Sequence, residues 1–257
     1  MAELPLLQSD EPPPLERLGT DARSPFVLVC DHAGRRLPRS LGSLGLSEAD
    51  LAAHIAWDIG AAGLARRLAD ALDASLFLQR YSRLVIDCNR PLSAPDSIAQ
   101  KSGGLPIPGN QGLSLAAAEE RARSIFWPYH QAIRAELDAR QARGEGFVLV
   151  SVHSFTPVLY GTARPFHTGI LYEKDTRLAH PLLELLRREP GLVVGDNEPY
   201  RASAATDYAI IEYGERRAQP YVEIEVRQDL ISDAAGESEW AERFARLLRR
   251  VTAAFPS

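Results

Sequence analysis

The stretch Pro25-Phe-Val-Leu-Val-Cys-Asp-His32 decides how the rest of the chain is read. Its first six residues make a short, continuous and partly β-branched apolar run, the pattern of a central strand covered on both faces. Asp31 and His32 follow at the carboxyl end of that run. In an open α/β sheet ligands gather where strands end, so polar residues immediately behind apolar runs are the ones to collect.

Outward from this strand, strands and helices alternate. On the amino-terminal side, Pro12, Pro13 and Pro14 remove backbone donors, which predicts an extended arm over 1–24. On the carboxyl side, Ile59, Leu64, Leu68 and Leu72 recur at helical spacing between Asp58 and Leu72. Two further short apolar runs, Ser75–Gln79 and Arg83–Cys88, precede a Pro-, Gly- and Ser-rich loop over Asn89–Gly112. Ser114 can cap a helix running to about Arg143, which Pro128 should bend or break. Strands are expected at Phe147–Val152, His167–Tyr172, Leu192–Gly195 and Tyr221–Val226, and helices at Thr176–Arg188, from Thr206 through Tyr213, and from Glu237 to about Val251. The alternation predicts a single α/β domain over 25–257, with helices flanking a mixed central sheet.

Composition narrows the function. At 257 residues with 45% apolar content, the chain can bury one sizeable core. A net charge of −5 without any basic block argues against nucleic acid as a partner. Nothing in Met1–Pro14 reads as a targeting segment and no stretch approaches membrane-spanning length, so a cytoplasmic protein without membrane association is expected. Cys30 and Cys88 have no CxxC or zinc-finger companion and read as buried reduced thiols.

The strand-end residues are Asp31-His32, Asp87-Cys88-Asn89-Arg90, His153-Ser154, Gly195-Asp-Asn-Glu198 and Glu225 inside the late strand. Two histidines, several carboxylates and an arginine form a metallohydrolase inventory, because a catalytic Zn²⁺ takes three His or carboxylate ligands and leaves one position for water. His32 and His153 supply the two nitrogens, whereas His54, His130, His167 and His180 read as structural or exposed. Asp58 is a candidate third ligand and equally a helix cap. Asp31 competes with it, or orients an imidazole from behind. Glu225 is a candidate general base, or an ion-pair partner of Arg227 two residues on, and Glu223 faces the same way.

Six segments taken in order resemble the N-formylglutamate amidohydrolase family. They are Val29-Cys-Asp-His-Ala-Gly34, His54-Ile-Ala-Trp-Asp-Ile-Gly60, Tyr81-Ser-Arg-Leu-Val-Ile-Asp-Cys-Asn-Arg-Pro91, Val152-His-Ser-Phe-Thr-Pro157, Gly195-Asp-Asn-Glu-Pro-Tyr200 and Ile224-Glu-Val-Arg-Gln-Asp-Leu230. The family is related to the zinc carboxypeptidases and to aspartoacylase and succinylglutamate desuccinylase. The resemblance therefore implies a phosphorylase/hydrolase-like α/β fold. It also implies that Asn89-Arg90 holds a substrate carboxylate, that His153 is the later zinc histidine and that Glu225 rather than Glu223 is the base. Carboxypeptidase-like relatives carry a glutamate three residues after the first histidine, where this chain has Arg35, so the resemblance leaves Asp58 as the chosen third ligand. Arg83, Arg201 and Arg227 are weaker candidates for anion contacts.

The expected activity is zinc-dependent removal of a small acyl group from an N-acyl amino acid such as N-formylglutamate. The competing expectation is a metal-free protein that binds a small carboxylate in the same pocket. A nucleotide-binding domain is a third reading, disfavoured because no P-loop or GxGxxG follows any apolar run.

Overall fold

A computed structural model describes residues 5–255. Seven strands form the central sheet: β1 (Leu15–Leu18), β2 (Phe26–Cys30), β3 (Ser75–Gln79), β4 (Val148–Phe155), β5 (Thr168–Leu171), β6 (Val194–Asp196) and β7 (Tyr221–Arg227). Their order is β1-β3-β2-β4-β7-β5-β6. The inner strands β3, β2, β4 and β7 are mutually parallel, β1 is antiparallel to β3, and β5 is antiparallel to β7. The mixed sheet expected from sequence is thus present. Residues 15–18, inside the stretch read as an arm, instead extend the sheet by an edge strand, and the first four residues of that stretch lie outside the described residues.

Alternation along the strands builds two cores. Leu28, Cys30, Val150, Val152, Val222, Ile224 and Val226 pack on one face beneath α2 (Ala61–Leu72), α5 (Ala179–Arg187) and α6 (Ala234–Thr252). Val27, Val29, Phe77, Leu149 and Tyr221 point to the other face, beneath α4 (Trp127–Ala142). On that second face the central strands turn polar toward their carboxyl ends. In the parallel pairing of β4 with β7, Glu223 stands opposite Ser151 and Glu225 opposite His153. Side chains two apart share a face, so the register lines up one row of acids beside a serine and a histidine.

Two local expectations are corrected and a third, the disturbance at Pro128, is met. Arg83–Cys88 forms a buried turn, because its amides are taken up locally, Leu84 by Ser82 Oγ and Asp87 by the Ser97 carbonyl. Strand β4 continues past Val152 to Phe155, which places His153 within it. Near Pro128 the helix from Ser114 widens into a π-turn over Ala122–Phe126 between α3 (Leu115–Arg121) and α4. The wider turn accommodates a residue that lacks an N–H and crowds the carbonyl four residues back.

Among the described residues no helix is long and apolar enough to cross a membrane. Both cysteines are free and buried. His130 on α4 is buried, with one ring nitrogen 2.7 Å from Tyr213 Oη and the other 3.0 Å from the Cys88 carbonyl. The carbonyl can only accept, so Nε2 carries the hydrogen and the ring is held neutral. Burial pushes its pKa down to about 3, below the ordinary value of about 6.5. Unfolded chain then takes up a proton that the folded chain refuses between those two values. This contribution to stability is complete above pH 6.5 and is lost as pH falls toward 3. Urea unfolding at several pH values should show His130→Gln losing about 1.4 kcal/mol per pH unit of the wild-type slope between pH 5 and 6. Parallel slopes for the two proteins would refute the assignment.

Candidate metal and substrate site

The polar strand ends converge on a cavity of about 290 Å³ at the carboxyl edge of the parallel strands. His32 follows β2, His153 lies on β4, and Asp58 precedes α2. The Asp58 amide donates to the His32 carbonyl at 2.9 Å, which fixes the two residues together. Gly60 turns the chain from Asp58 into α2 at φ 80°, and a β-carbon there would lie 2.1 Å from the Ile231 carbonyl oxygen. Only glycine fits that close approach. The Asp58 carboxylate consequently points into the cavity, toward the histidines.

Both imidazoles present Nδ1 to Asp58. His153 Nδ1 is 2.9 Å from Asp58 Oδ2, and His32 Nδ1 is 3.4 Å from the same oxygen. The far nitrogens are anchored. His32 Nε2 lies 2.7 Å from Asp87 Oδ1, and His153 Nε2 lies 3.0 Å from Ser151 Oγ. With Nε2 held from behind, each ring turns Nδ1 inward, the arrangement in which an outer partner orients a ligating histidine. One ligand atom from each of His32, Asp58 and His153 falls within 4.8 Å of the others, with all three residues buried.

This donor set fits a divalent cation. His32 Nδ1 is buried without a hydrogen-bond partner among the described residues, as are both oxygens of Asp31 and Oε2 of Glu225. The buried acids Asp31, Asp58, Asp87, Glu223 and Glu225 crowd around two imidazoles and the Arg83 guanidinium. Two His and one carboxylate in an acid-rich cavity are a donor set of the kind that holds a hydrolytic Zn²⁺. Asp31 stands 3.8 Å from His153 Nε2, behind the ring and away from the converging nitrogens.

The surrounding acids divide into two classes. Burial alone would raise Asp58, but Arg83, His32 and His153 outweigh it and hold the carboxyl well below the usual range. Asp87 is likewise held low by His32 against the effect of burial. Burial pushes Glu223 up to about 7 and drives Glu225 well above the carboxylate range, the nearby acids adding to the effect. Burial favours neutral His153, yet Glu223, Asp31 and Asp58 together raise its pKa well above normal.

Arg83 reaches Asp58 Oδ1 and donates to the His54 carbonyl at 3.2 Å. Arg90 is held by the Thr206 carbonyl and by Asp96, and lines the cavity. Asn89 also lines it, but its amide is engaged at both ends. Its oxygen accepts from the amides of Tyr208 and Ala209 at 3.0 and 3.2 Å, and Nδ2 lies 3.4 Å from Glu223. Arg227 is brought elsewhere: its guanidinium pairs with Asp229 at 2.8 Å, and it neither lines the cavity nor meets Glu225. Its side chain leaves the last position of β7, where the following turn offers a nearer acid.

His54, read from sequence as structural or exposed, lines the cavity with Nε2 3.6 Å from Asp58 Oδ1. Its four-residue separation from Asp58 is the signal that was available. Tyr200, Thr206 and Asp207 line it from the single loop between β6 and β7, together with Arg201, one of the weaker anion-contact candidates.

An α/β sheet with a His, His, Asp constellation at its parallel strand ends defines a metallohydrolase-like architecture. A family model described as N-formylglutamate amidohydrolase matches residues 24–232, and the chain belongs to that family. Curated relatives named N-formylglutamate deformylase, from Pseudomonas aeruginosa and Pseudomonas putida, are 31% and 32% identical to it over 165 and 162 residues. Each match takes in 57% of this chain and 59% of the relative's length. The crystal structure of a gene product from Agrobacterium tumefaciens superposes with a TM-score of 0.94 at 34% identity, covering 97% of this chain and 98% of the other. The structure of N-formylglutamate amidohydrolase from Ralstonia eutropha JMP134 shares the fold, with a TM-score of 0.67 at 21% identity over 93% of this chain and 97% of that one.

Purified protein dialysed against Zn²⁺ should retain about one equivalent, read by elemental analysis, and His153→Ala should retain less than a tenth of that. Asp87→Ala, which releases the outer nitrogen of His32 together with the Asn89 amide, should weaken Zn²⁺ affinity by about 10- to 100-fold. Undiminished retention in His153→Ala would exclude the constellation as the metal site.

Proposed function

We propose that this chain is a zinc-dependent amidohydrolase that removes a small acyl group from an N-acyl amino acid, with N-formylglutamate as the reference substrate. The observation that carries the reading is the convergence of the two Nδ1 atoms and one Asp58 oxygen beside Glu225, a buried carboxyl with one oxygen unpartnered. Family membership and the names of the Pseudomonas relatives support the substrate class.

A Zn²⁺ ion held by His32, Asp58 and His153 would supply Lewis-acid activation of water and of the amide carbonyl. Glu225 accepts the proton of the attacking water and returns it to the departing nitrogen. Its burial raises its affinity for a proton, which suits a carboxyl that takes one from water. Hydroxide adds to the carbonyl carbon, the C–N bond breaks, and the products are a carboxylic acid and a free amino acid. Arg83 faces the reacting region and is suited to hold the developing oxyanion. Arg90, with Asn89 locked beside it, presents positive charge to the substrate carboxylate, where a planar guanidinium gives orientation as well as attraction.

Glu225→Gln should keep its Zn²⁺ while kcat for N-formylglutamate falls about 10²- to 10⁴-fold. Normal turnover by the glutamine variant would refute the assignment of the base. Arg90→Ala should raise KM at least tenfold with a smaller change in kcat, and an unchanged KM for every anionic substrate would remove the clamp from the scheme.

A further inference from the structure

Beside the polar cavity lies a second one of about 360 Å³, within the size range of small-ligand pockets. The two share a wall made of His54, Arg83 and Tyr200. Beyond that wall the lining is largely apolar, with Ile55 on one side and Val158, Leu159 and Tyr160 on the other. The last three belong to a short hairpin that pairs Val158–Leu159 with Thr162–Ala163 and carries Tyr160 exposed at its tip. Tyr200 is fixed in the dividing wall by Arg164, which donates to its hydroxyl at 2.8 Å and stacks under its ring at 4.7 Å. Arg164 is itself buried and packs over Phe155 at the end of β4. Through Arg164 the Tyr200 side of the wall rests on the strand that carries His153.

Arg90, the His32, Asp58 and His153 centre, and Arg83 all line the first cavity, and of these Arg83 alone also lines the second, which sets a line from Arg90 past Arg83 to the second cavity. An N-acyl amino acid laid along this line with its carboxylate at Arg90 puts its amide carbon at the centre. Its acyl substituent then points past Arg83. A formyl group offers only a hydrogen in that direction and would leave the apolar space to water. We infer that the second cavity is the acyl-binding subsite, and that it takes a neutral, apolar acyl chain of several carbons. This rests on the amidohydrolase reading and specifies its substrate class. Charge selects against an aminoacyl group, as in a dipeptide, because the ammonium would lie beside the Arg83 guanidinium. His54 offers no anion to offset it.

The test is a series of glutamates carrying formyl, acetyl, butanoyl or hexanoyl groups, with leucyl-glutamate as the charged counterpart. Zn²⁺-loaded wild-type protein gives kcat/KM, and calorimetry on Zn²⁺-loaded Glu225→Gln gives Kd without turnover. From acetyl to hexanoyl each added methylene should tighten Kd by up to about fourfold. The hexanoyl compound should exceed the formyl one in kcat/KM, and leucyl-glutamate should bind more weakly than the butanoyl compound. Val158→Asp, at an exposed position, should lower the hexanoyl-to-formyl ratio of kcat/KM at least tenfold. If the formyl compound is hydrolysed fastest and lengthening the chain weakens Kd, the acyl subsite is refuted while the amidohydrolase reading stands. Preference for leucyl-glutamate overturns the neutral class. If no member of the series is bound or hydrolysed, the amidohydrolase reading falls and this inference with it.

Discussion

The Asp58 carboxylate is the constraint around which the site is arranged. One oxygen meets His153 Nδ1, the Ser154 amide and His32 Nδ1, and the other meets Arg83 and faces His54. Burying a carboxylate costs several kcal/mol unless its partners are well placed, and removing one partner of such a group commonly costs about 3–5 kcal/mol. The structure answers with the Arg83 guanidinium on one oxygen and the Ser154 amide and His153 ring on the other. The same contacts that make the buried charge tolerable aim both imidazoles at one point. Stability and metal-ligand geometry therefore rest on one residue.

The remaining acids are positioned by strand register rather than by a loop. Pairing Glu225 with His153 and Glu223 with Ser151 leaves no freedom to choose which glutamate lies nearer the cavity mouth. The environments then separate the carboxyls, with Asp58 and Asp87 held ionised by cationic neighbours and Glu223 and Glu225 pushed toward the neutral form by burial. Groups of one chemical type pushed apart in this way are the usual basis for assigning fixed charges and mobile protons. Here the carboxylates held ionised, Asp58 and Asp87, are those that touch the imidazoles.

Much of this was legible in the sequence because burial on both faces of a parallel strand leaves a continuous apolar run, and what breaks the run marks the strand end. Phe26–Cys30 followed by Asp31-His32 is such a case, and the alternation of Val222, Ile224 and Val226 with Glu223 and Glu225 is another. Other features left weaker traces. Arg83–Cys88 is apolar because it is buried, and burial alone does not distinguish a strand from a tightly bonded turn. His54 sits next to apolar Ile55 in a turn, and outside a regular helix its four-residue spacing from Asp58 is only a weak sign of the contact. The strand period places Arg227 on the Glu225 face, but the chain bends after β7 and Asp229 captures the guanidinium first. Pro128 predicts a disturbance without saying that a π-turn would absorb it.

The carboxylate-facing wall shows why the loops need not be flexible to serve a small substrate. The Asn89 oxygen accepts the amides that open the helical turn at Tyr208 and Ala209, and Arg90 is held by the Thr206 carbonyl in the same loop. The turn after β3 and the loop before β7 are thereby bonded into one unit, although about 120 residues separate them. A guanidinium already fixed by backbone oxygens loses little rotamer freedom when an anion arrives, so more of the interaction energy survives as binding. The same logic applies on the opposite flank, where Arg164 fixes Tyr200 before any ligand is present. With both flanks pre-set, the placement of Arg90 relative to the apolar cavity is a property of the folded chain.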